Sequence, residues 1–599
     1  MALALTAQRL DCRKQSRCPG CPLGGEPYQL GLLRKGQGLH AALSAYPSLT
    51  PALSEPRAAS PTLHYRLRAK LVSRGRALGL FERGSHQVLD VQGCRVLSPA
   101  LTRASEALRR LLPLPLYGAD FRETSEGVLL TLLSERAAAR AELEGAARRL
   151  LEQGDVLSVA FALRREGDVR LLSGEPEVVA GAAAARHALS VDAPYAYAAH
   201  GGFVQAHAPQ ASYVYRELAR GLHEQLRGVT EPCVLELFAG NGSLALGLAQ
   251  RGLQVTAVEA YAPAIALAER AAREQGLALR AVASDATRFM QSAAQQRFDA
   301  VIVNPPRRGL DAELRRAIAS TQPRALAYVS CNPHTLARDA WHLQRLGLNL
   351  VRAEPLDMIP WSDAIEALAW FAPQPPPLPS VLYEDESFMA VEKAPHELLT
   401  APAGQPSLGA RLRLRPGLEA AQPLDAWGPG VSGVCWFAKH APAGGVQRGA
   451  RASDRSERTL VLLARGTLRK QGTITRRDGP AASTRSGTPY KKQSDVGRHA
   501  LVQVTTADAD EAGTLRDFVH IGHPVLGDPH SGDAASNQFL AHRHGLDRPF
   551  LHCVRSRLHL PNGRELAAES ALAADLARVL ASLGREGGRG SDQAAGQGH

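Results

Sequence analysis

The strongest constraint on the fold is a pattern repeated between residues 231 and 333, in which an apolar run ends in a turn and a helical stretch follows. PCVLELF leads into AGNGS and then LALGLAQRG, and LQVTAVEA leads into APAIALAERAAREQG. FDAVIVNPP and RALAYVSCNP repeat the theme of strand then turn. Strands alternating with helices predict a parallel sheet with helices on both faces, an α/β organisation that begins near residue 190. Such sheets bind ligands beyond the carboxyl ends of their strands. The turns that close the apolar runs are therefore where chemistry is expected.

At 599 residues the chain has room for further domains. Residues 1–100 carry short strand-like runs (LHYRLRAKLVS, QVLDVQG) punctuated by Pro and Gly, and 100–190 carry helical patterns such as ERAAARAELEGAARRLLEQG. The run APQPPPLPS reads as a linker, a strand-rich part follows it, and GREGGRGSDQAAGQGH reads as a disordered tail. The expected division is 1–190, 191–373, a Pro-rich linker at 374–380, 381–583 with a basic insertion at 441–500, and a tail at 584–599. No apolar run is long enough for a membrane span, and the N-terminus lacks the apolar core and cleavage site of a secretory signal, so a cytoplasmic protein is expected.

Charge adds a partner class. Lys and Arg number 70 against 58 Asp and Glu, a net of +12. Residues 441–500 hold thirteen of the basic residues against four acidic ones, so three-quarters of the excess lies there. A polyanion such as nucleic acid is the partner that such a stretch favours.

The eight cysteines form no disulfide framework. Cys12, Cys18 and Cys21 fall within ten residues and Cys94 follows 73 positions later; the spacing suits zinc, with a 4Fe–4S cluster as the alternative. Cys331 stands just after an apolar strand in YVSCNP, while Cys233, Cys435 and Cys553 are scattered singly. Gly240 and Gly242 close the first strand and allow a nucleotide-like ligand to approach the backbone, and Glu259 ends the next strand, placed to accept ribose hydroxyls. The glycine spacing is not that of a dinucleotide site, and with the NPP turn it points to an S-adenosylmethionine fold.

Taken in order, these motifs resemble the family of iron–sulfur RNA uracil-5-methyltransferases over about residues 8–372. The resemblance implies that Cys12, Cys18, Cys21 and Cys94 ligate a 4Fe–4S cluster. It implies a Rossmann-like S-adenosylmethionine domain whose donor contacts are Gln205 in FVQAH, Phe238, Gly240, Gly242 and Ser243 in LELFAGNGS, then Glu259, Asp285 and Asn304. Cys331 matches the nucleophile and Glu366 in DMIPWSDAIEAL the base. Asn304 stands where the family has Asp, and Ala364 where it has His. Eleven residues precede Cys12, so the N-terminal RNA-binding barrel common in that family is expected to be missing. The residue types suit the chemistry: carbon 5 of uracil is a poor nucleophile until a thiolate adds to carbon 6, and a base must then remove the carbon 5 proton.

Residues 379–582 resemble the large-subunit-type RNA pseudouridine synthases, an α+β fold, through VLYEDESFMAVEKAP, VSGVCWFAK, HIGHPVLGDP and PFLHCVRSRLHLP. Aligned on Ser432 and Gly433, Gly428 falls where that family has its catalytic Asp, with Asp425 three positions earlier. Ser531 stands in place of the usual Tyr, and Arg516 lies where its Arg pattern would be. The resemblance therefore implies a domain that binds RNA without catalysis. The resulting expectation is an S-adenosylmethionine-dependent enzyme making 5-methyluridine in RNA, ribosomal RNA foremost. Its competitors are a bifunctional enzyme that also isomerises uridine, and a non-catalytic RNA-binding or assembly factor.

Overall fold

The computed structural model describes residues 8–594 except 166–167, 169–170, 173, 294–295, 403–404, 441–455, 477–486 and 561, and omits the side chains of 542 and 585–594. The chain forms two compact units. One comprises residues up to Gly309 with Thr321–Ala337 and Leu350–Pro373; the other comprises Leu310–Ser320, Arg338–Asn349 and the residues from Gln374 onward.

The first unit holds two large sheets. An eight-stranded sheet runs in the order Ala52–Leu53, Leu348–Leu356, Glu366–Pro373, Ala325–Ser330, Ala300–Val303, Cys233–Leu237, Gln254–Glu259, Leu279–Ala283. The five strands from Ala325–Ser330 to Leu279–Ala283 are mutually parallel, and Glu366–Pro373 pairs antiparallel with Ala325–Ser330. Every residue of Ala300–Val303 and Ala325–Ser330 is buried, as unbroken apolar runs in a sheet covered on both faces should be. This is the expected α/β domain.

The second sheet of this unit has seven strands, Val88–Asp90, Ala77–Phe81, Arg68–Arg74, Gly118–Glu123, Val128–Ser134, Val156–Leu163 and Glu177–Gly181. Helix Arg140–Glu152 forms where the Ala-rich periodicity placed one. The strands around it were not expected, because short apolar runs such as VLLTLLS and VLSVAFAL carry no alternation. Helix Tyr28–Ser44 was also missed. Its glycines lower helix propensity, yet a Cβ on Gly36 would lie 2.4 Å from Pro56 Cγ, so close packing demands the glycine that hides the helix.

The second unit carries a ten-stranded sheet whose main path is Val381–Glu384, Phe388–Lys393, Ser432–Ala438, Leu551–His559, Glu457–Arg465, His499–Thr506, Thr488–Val496 and Gln471–Ile474. Its core gathers Trp436, Phe437, Phe518 and Leu462. The expected basic insertion is corrected here. Glu457–Arg465 is an inner strand, paired with both Leu551–His559 and His499–Thr506, because TLVLLA between its terminal charges buries almost completely. Arg448, Arg451, Arg455, Arg477 and Arg485 lie outside the described residues. The expected tail also differs: helix Ala574–Ala594 runs past 584. Leu576, Val579 and Leu583 anchor its first turns in the core, and propagation from a formed nucleus is cheap even through glycine. No helix among the described residues is long and apolar enough to cross a membrane.

Candidate active site

The parallel sheet lines up its carboxyl ends in the order Ala325–Ser330, Ala300–Val303, Cys233–Leu237, Gln254–Glu259 and Leu279–Ala283. That order brings Cys331, Asn304, the Phe238–Ser243 loop, Glu259 and Asp285 to one edge. The loop turns sharply: Phe238, Gly240 and Gly242 have φ of 62°, 59° and 73°, and a Cβ on Gly242 would lie 2.6 Å from that of Ala268. Glu259 braces it, accepting the Gly240 N–H at 3.0 Å and the Tyr261 N–H at 2.9 Å. Asp285 is exposed and caps helix Ala286–Ser292 through the N–H groups of Thr287 and Arg288. Ser243 Oγ donates to Asn241 Oδ1 at 2.8 Å, and Asn241 in turn donates to the Tyr197 carbonyl. Asn304 is exposed beyond its strand, and its N–H points to the Leu237 carbonyl at 3.4 Å. Gln205 hydrogen-bonds the Tyr215 hydroxyl.

Glu236 belongs to this edge and escaped the sequence reading. It is 3% exposed, and burial followed by the nearby Glu259 pushes its carboxyl up to about 8. One carboxylate oxygen accepts the Ala245 N–H and the other has no partner among the described residues. Its signal was an acid inside the otherwise apolar run VLELF.

The strand ladder sets Cys331 and Glu366 opposite each other. Ser330 pairs with Ala367 in the antiparallel register, so Cys331 and Glu366 are the next opposed positions. Burial pushes the Cys331 thiol up, Glu366 pushes it further, and Arg307, which hydrogen-bonds it, opposes them. Burial alone pushes the Glu366 carboxyl up to about 7. Cys331 opens into a cavity of about 520 Å³ lined also by Arg307, Arg34, Lys35, Asp363 and Ala364. Arg307 was present in the NPPRRGL motif but not singled out. Its carbonyl accepts from Asn332 and Thr335, which ties the turn after Asn304 to the turn after Cys331.

The segment leading to Glu366 is fixed from the N-terminal side. Asp357 is buried and accepts from Lys35 Nζ at 2.6 Å and Tyr28 Oη at 2.7 Å. Trp361 donates to the Thr62 carbonyl, and its own carbonyl accepts the Leu23 N–H. Three of these partners, Leu23, Tyr28 and Lys35, lie close in sequence to the N-terminal thiols or in the helix that follows them. Cys12, Cys21 and Cys94 pack against a small core containing Tyr28, Tyr65 and Trp361. The thiols influence one another: Cys94, Cys18 and Cys12 each push Cys21 upward beyond the effect of burial. Among the described residues no group of three or more His, Cys, Asp or Glu is closed round a metal-sized point. The chain thus gathers four soft donors of the right kind without drawing them to ligand distances.

In the second unit, Asp425 is buried and engaged by neighbours on both carboxylate oxygens. It is 1% exposed, accepts Arg458 at 2.7 Å and receives the Trp436 N–H at 2.7 Å. The space in front of Gly428 is filled by Glu511, whose Oε1 lies 2.1 Å from where a Cβ on Gly428 would be. Ser531 donates to Asp528, and Arg516 is exposed.

A glycine-turned loop at the carboxyl edge of a parallel sheet that carries one antiparallel strand defines a Rossmann-like S-adenosylmethionine-dependent methyltransferase. The profile of the tRNA (uracil-5-)-methyltransferase family matches residues 28–372. The chain belongs to that family and is an RNA uracil-5-methyltransferase. It is 31% identical over 375 residues to the 23S rRNA (uracil(1939)-C(5))-methyltransferase RlmD of Pseudomonas aeruginosa, covering 61% of this chain and 80% of that one. It is 28% identical over 386 residues to an uncharacterised RNA methyltransferase of Geobacter sulfurreducens, covering 60% and 76%. The crystal structure of Pyrococcus abyssi tRNA (uracil-54, C5)-methyltransferase with S-adenosyl-L-homocysteine is similar at a TM-score of 0.49 and 22% identity, over 59% of this chain and 86% of that one.

Proposed function

We propose that the chain forms 5-methyluridine in ribosomal RNA through a covalent adduct on Cys331. The observation that carries this is the register that opposes Cys331 to Glu366 beside a cavity large enough for a base, about 520 Å³. The Cys331 thiolate adds to carbon 6 of an extruded uracil, and carbon 5 gains the electron pair. Carbon 5 takes the methyl group from the sulfonium of S-adenosylmethionine, which leaves as S-adenosylhomocysteine. Glu366 accepts the carbon 5 proton, and the carbon–sulfur bond breaks to return the thiolate. A carboxyl held near 7 is suited to take up and release a proton at neutral pH. Gln205, Phe238, Gly240, Gly242, Ser243, Glu259, Asp285 and Asn304 hold the donor at the sheet edge; Asn304 supplies no charge there. The likeness to the Pseudomonas enzyme supports ribosomal RNA as the substrate. RNA from a strain carrying Cys331→Ala should lack the modified uridine by mass spectrometry; an unchanged content of 5-methyluridine sinks the mechanism.

Cys12, Cys18, Cys21 and Cys94 would hold a 4Fe–4S cluster. When bound, it would cross-link the N-terminal segment to the rest of the unit. The cysteines hold the segment beside Tyr28 and Trp361, and so beside the chain leading to Glu366. Eight unpaired cysteines fit the reducing cytoplasm.

The second unit binds RNA and is catalytically inactive in this reading, supported by Gly428 and by the Asp425–Arg458 pair. A bifunctional enzyme is favoured by one observation only, the Glu511 carboxylate in the space of the missing side chain. Pseudouridine mapping with wild type and Glu511→Gln decides between them.

A further inference from the structure

The Ser243 hydroxyl has a direction that is set from outside the donor loop. Asn241 stands between Gly240 and Gly242, both in left-handed backbone at φ of 59° and 73°, and its side chain bonds on two sides. Its Nδ2 donates to the Tyr197 carbonyl at 3.0 Å, and its Oδ1 accepts the Ser243 hydroxyl at 2.8 Å. The strand that carries this carbonyl is firmly seated. Tyr197 is 4% exposed and shares a small core with Ala196 and with Leu246, from the helix that Ser243 opens. Its own hydroxyl donates to Glu274 at 2.7 Å. The N–H of Arg186, its cross-strand neighbour, goes to Glu126 at 2.7 Å.

These bonds have one consistent polarity. A backbone carbonyl only accepts, so the Asn241 amide turns its NH2 group to Tyr197. The amide oxygen then faces Ser243 and cannot donate, so the Ser243 hydroxyl spends its single hydrogen on it. What Ser243 keeps is acceptor capacity, its lone pairs. Hydrogen bonds in such a chain polarise one another, which makes a hydroxyl that donates a better acceptor. A ligand group that meets Ser243 must therefore bring an N–H or an O–H. S-adenosylmethionine carries both, on its α-ammonium and its ribose hydroxyls, whereas its carboxylate is an acceptor only and is repelled at this atom.

We propose that Asn241 is a positioning residue for the methyl donor. It relays the Tyr197 carbonyl to Ser243 and fixes the Ser243 oxygen as an acceptor for the α-ammonium or a ribose hydroxyl of S-adenosylmethionine. The proposal rests on the reading of Ser243 as a donor contact, and adds to it the residue that orients the hydroxyl and the polarity that results. Without Asn241 the hydroxyl is free to present its hydrogen in place of its lone pairs.

S-adenosylhomocysteine is titrated by calorimetry into the full-length wild type, Asn241→Ala, Ser243→Ala and the double variant. Each single variant should bind about tenfold more weakly, the worth of one hydrogen bond. The double variant should bind no more weakly than Ser243→Ala, because Asn241 acts through Ser243. Ser243→Thr keeps the hydroxyl and should restore binding. In methyl-transfer kinetics Asn241→Ala should show mainly as a raised KM for the donor. Additive losses in the double variant overturn the relay, as a loss confined to kcat does. Ser243→Ala binding as tightly as the wild type overturns it too, together with the reading of Ser243 as a donor contact. Two further ligands identify the group that Ser243 meets: 5′-methylthioadenosine, and the analogue of S-adenosylhomocysteine without its α-amino group. A Ser243→Ala loss that persists with methylthioadenosine assigns a ribose hydroxyl, and one that vanishes with the deaminated analogue assigns the ammonium. A loss that persists with the deaminated analogue but vanishes with methylthioadenosine points to the carboxylate and overturns the proposed polarity.

Discussion

The Gly428 backbone N–H donates to both carboxylate oxygens of Glu511, at 3.1 and 3.0 Å, and no side chain on residue 428 fits without moving that carboxylate. Gly428→Ala should therefore destabilise the second unit by about 1–3 kcal/mol, the usual cost of overpacking. Glu511→Ala in the same chain should recover most of it. A double-mutant cycle by chemical denaturation reads the coupling, and additive effects would mean that the two residues are independent.

Asp425 and Arg458 form a buried pair 2.7 Å apart. Asp425→Asn leaves a buried guanidinium without its countercharge and should cost about 3–5 kcal/mol. Pseudouridine content, by contrast, should not change in molecules that remain folded. Denaturant midpoints and modification mapping on the same preparation give both answers.

Glu366 sets a pH dependence with a definite sign. Its carboxyl is raised in the folded chain to about 7, so ionisation opposes folding as pH climbs from the ordinary carboxylate range to about 7. Glu366→Gln should leave stability unchanged in acid and raise it by about 3 kcal/mol at pH 8. Methyl transfer runs the other way in the wild type: the rate should rise with pH through about 7 as Glu366 ionises, and go on rising above it as the Cys331 thiol, itself pushed up by burial, gives its thiolate. In the Gln variant the adduct should persist as a protein–RNA band on a denaturing gel. A flat pH–rate profile would remove Glu366 from the base role.

Lys35 is buried against Asp357 at 2.6 Å and also lines the Cys331 cavity. Lys35→Ala should destabilise the first unit by about 3–5 kcal/mol. Removing both partners with Lys35→Met and Asp357→Leu should cost less, because no lone charge is left buried. Melting curves for the three proteins test the order.

Much of the first unit was legible in advance because its parallel strands are buried on both faces and write themselves as unbroken apolar runs. The turns after them carried glycines and acids that sheet topology then set side by side. Glu259 and Cys331 could be placed after apolar runs for that reason, whereas Asp285 and Asn304 were singled out only through the family resemblance; sheet topology sets all four at one edge. The Lys35–Asp357 pair was not legible, because it joins positions far apart in the chain: Asp357 opens the DMIPWSDAIEAL motif but nothing there names its partner, and Lys35 sits in no motif. The Tyr28–Ser44 helix stayed hidden behind its glycines, of which Gly36 is required by packing against Pro56. Glu511 had no signal at all: its meaning depends on the empty space at Gly428, which only three dimensions reveal. The basic stretch misled in another way. Its charge suggested an insertion facing a polyanion, whereas residues such as Leu460 and Leu462 within it are fully buried.

The opposition of Cys331 and Glu366 rests on one antiparallel ladder from Ser330–Ala367 to Leu326–Phe371. Side chains on a strand alternate between faces, so a shift by a single position sends each to the other side. The gene is therefore far less tolerant of a one-codon insertion or deletion inside this ladder than of most point substitutions there. Length changes accepted between relatives should fall in the loops and never between residues 326 and 330 or 367 and 371.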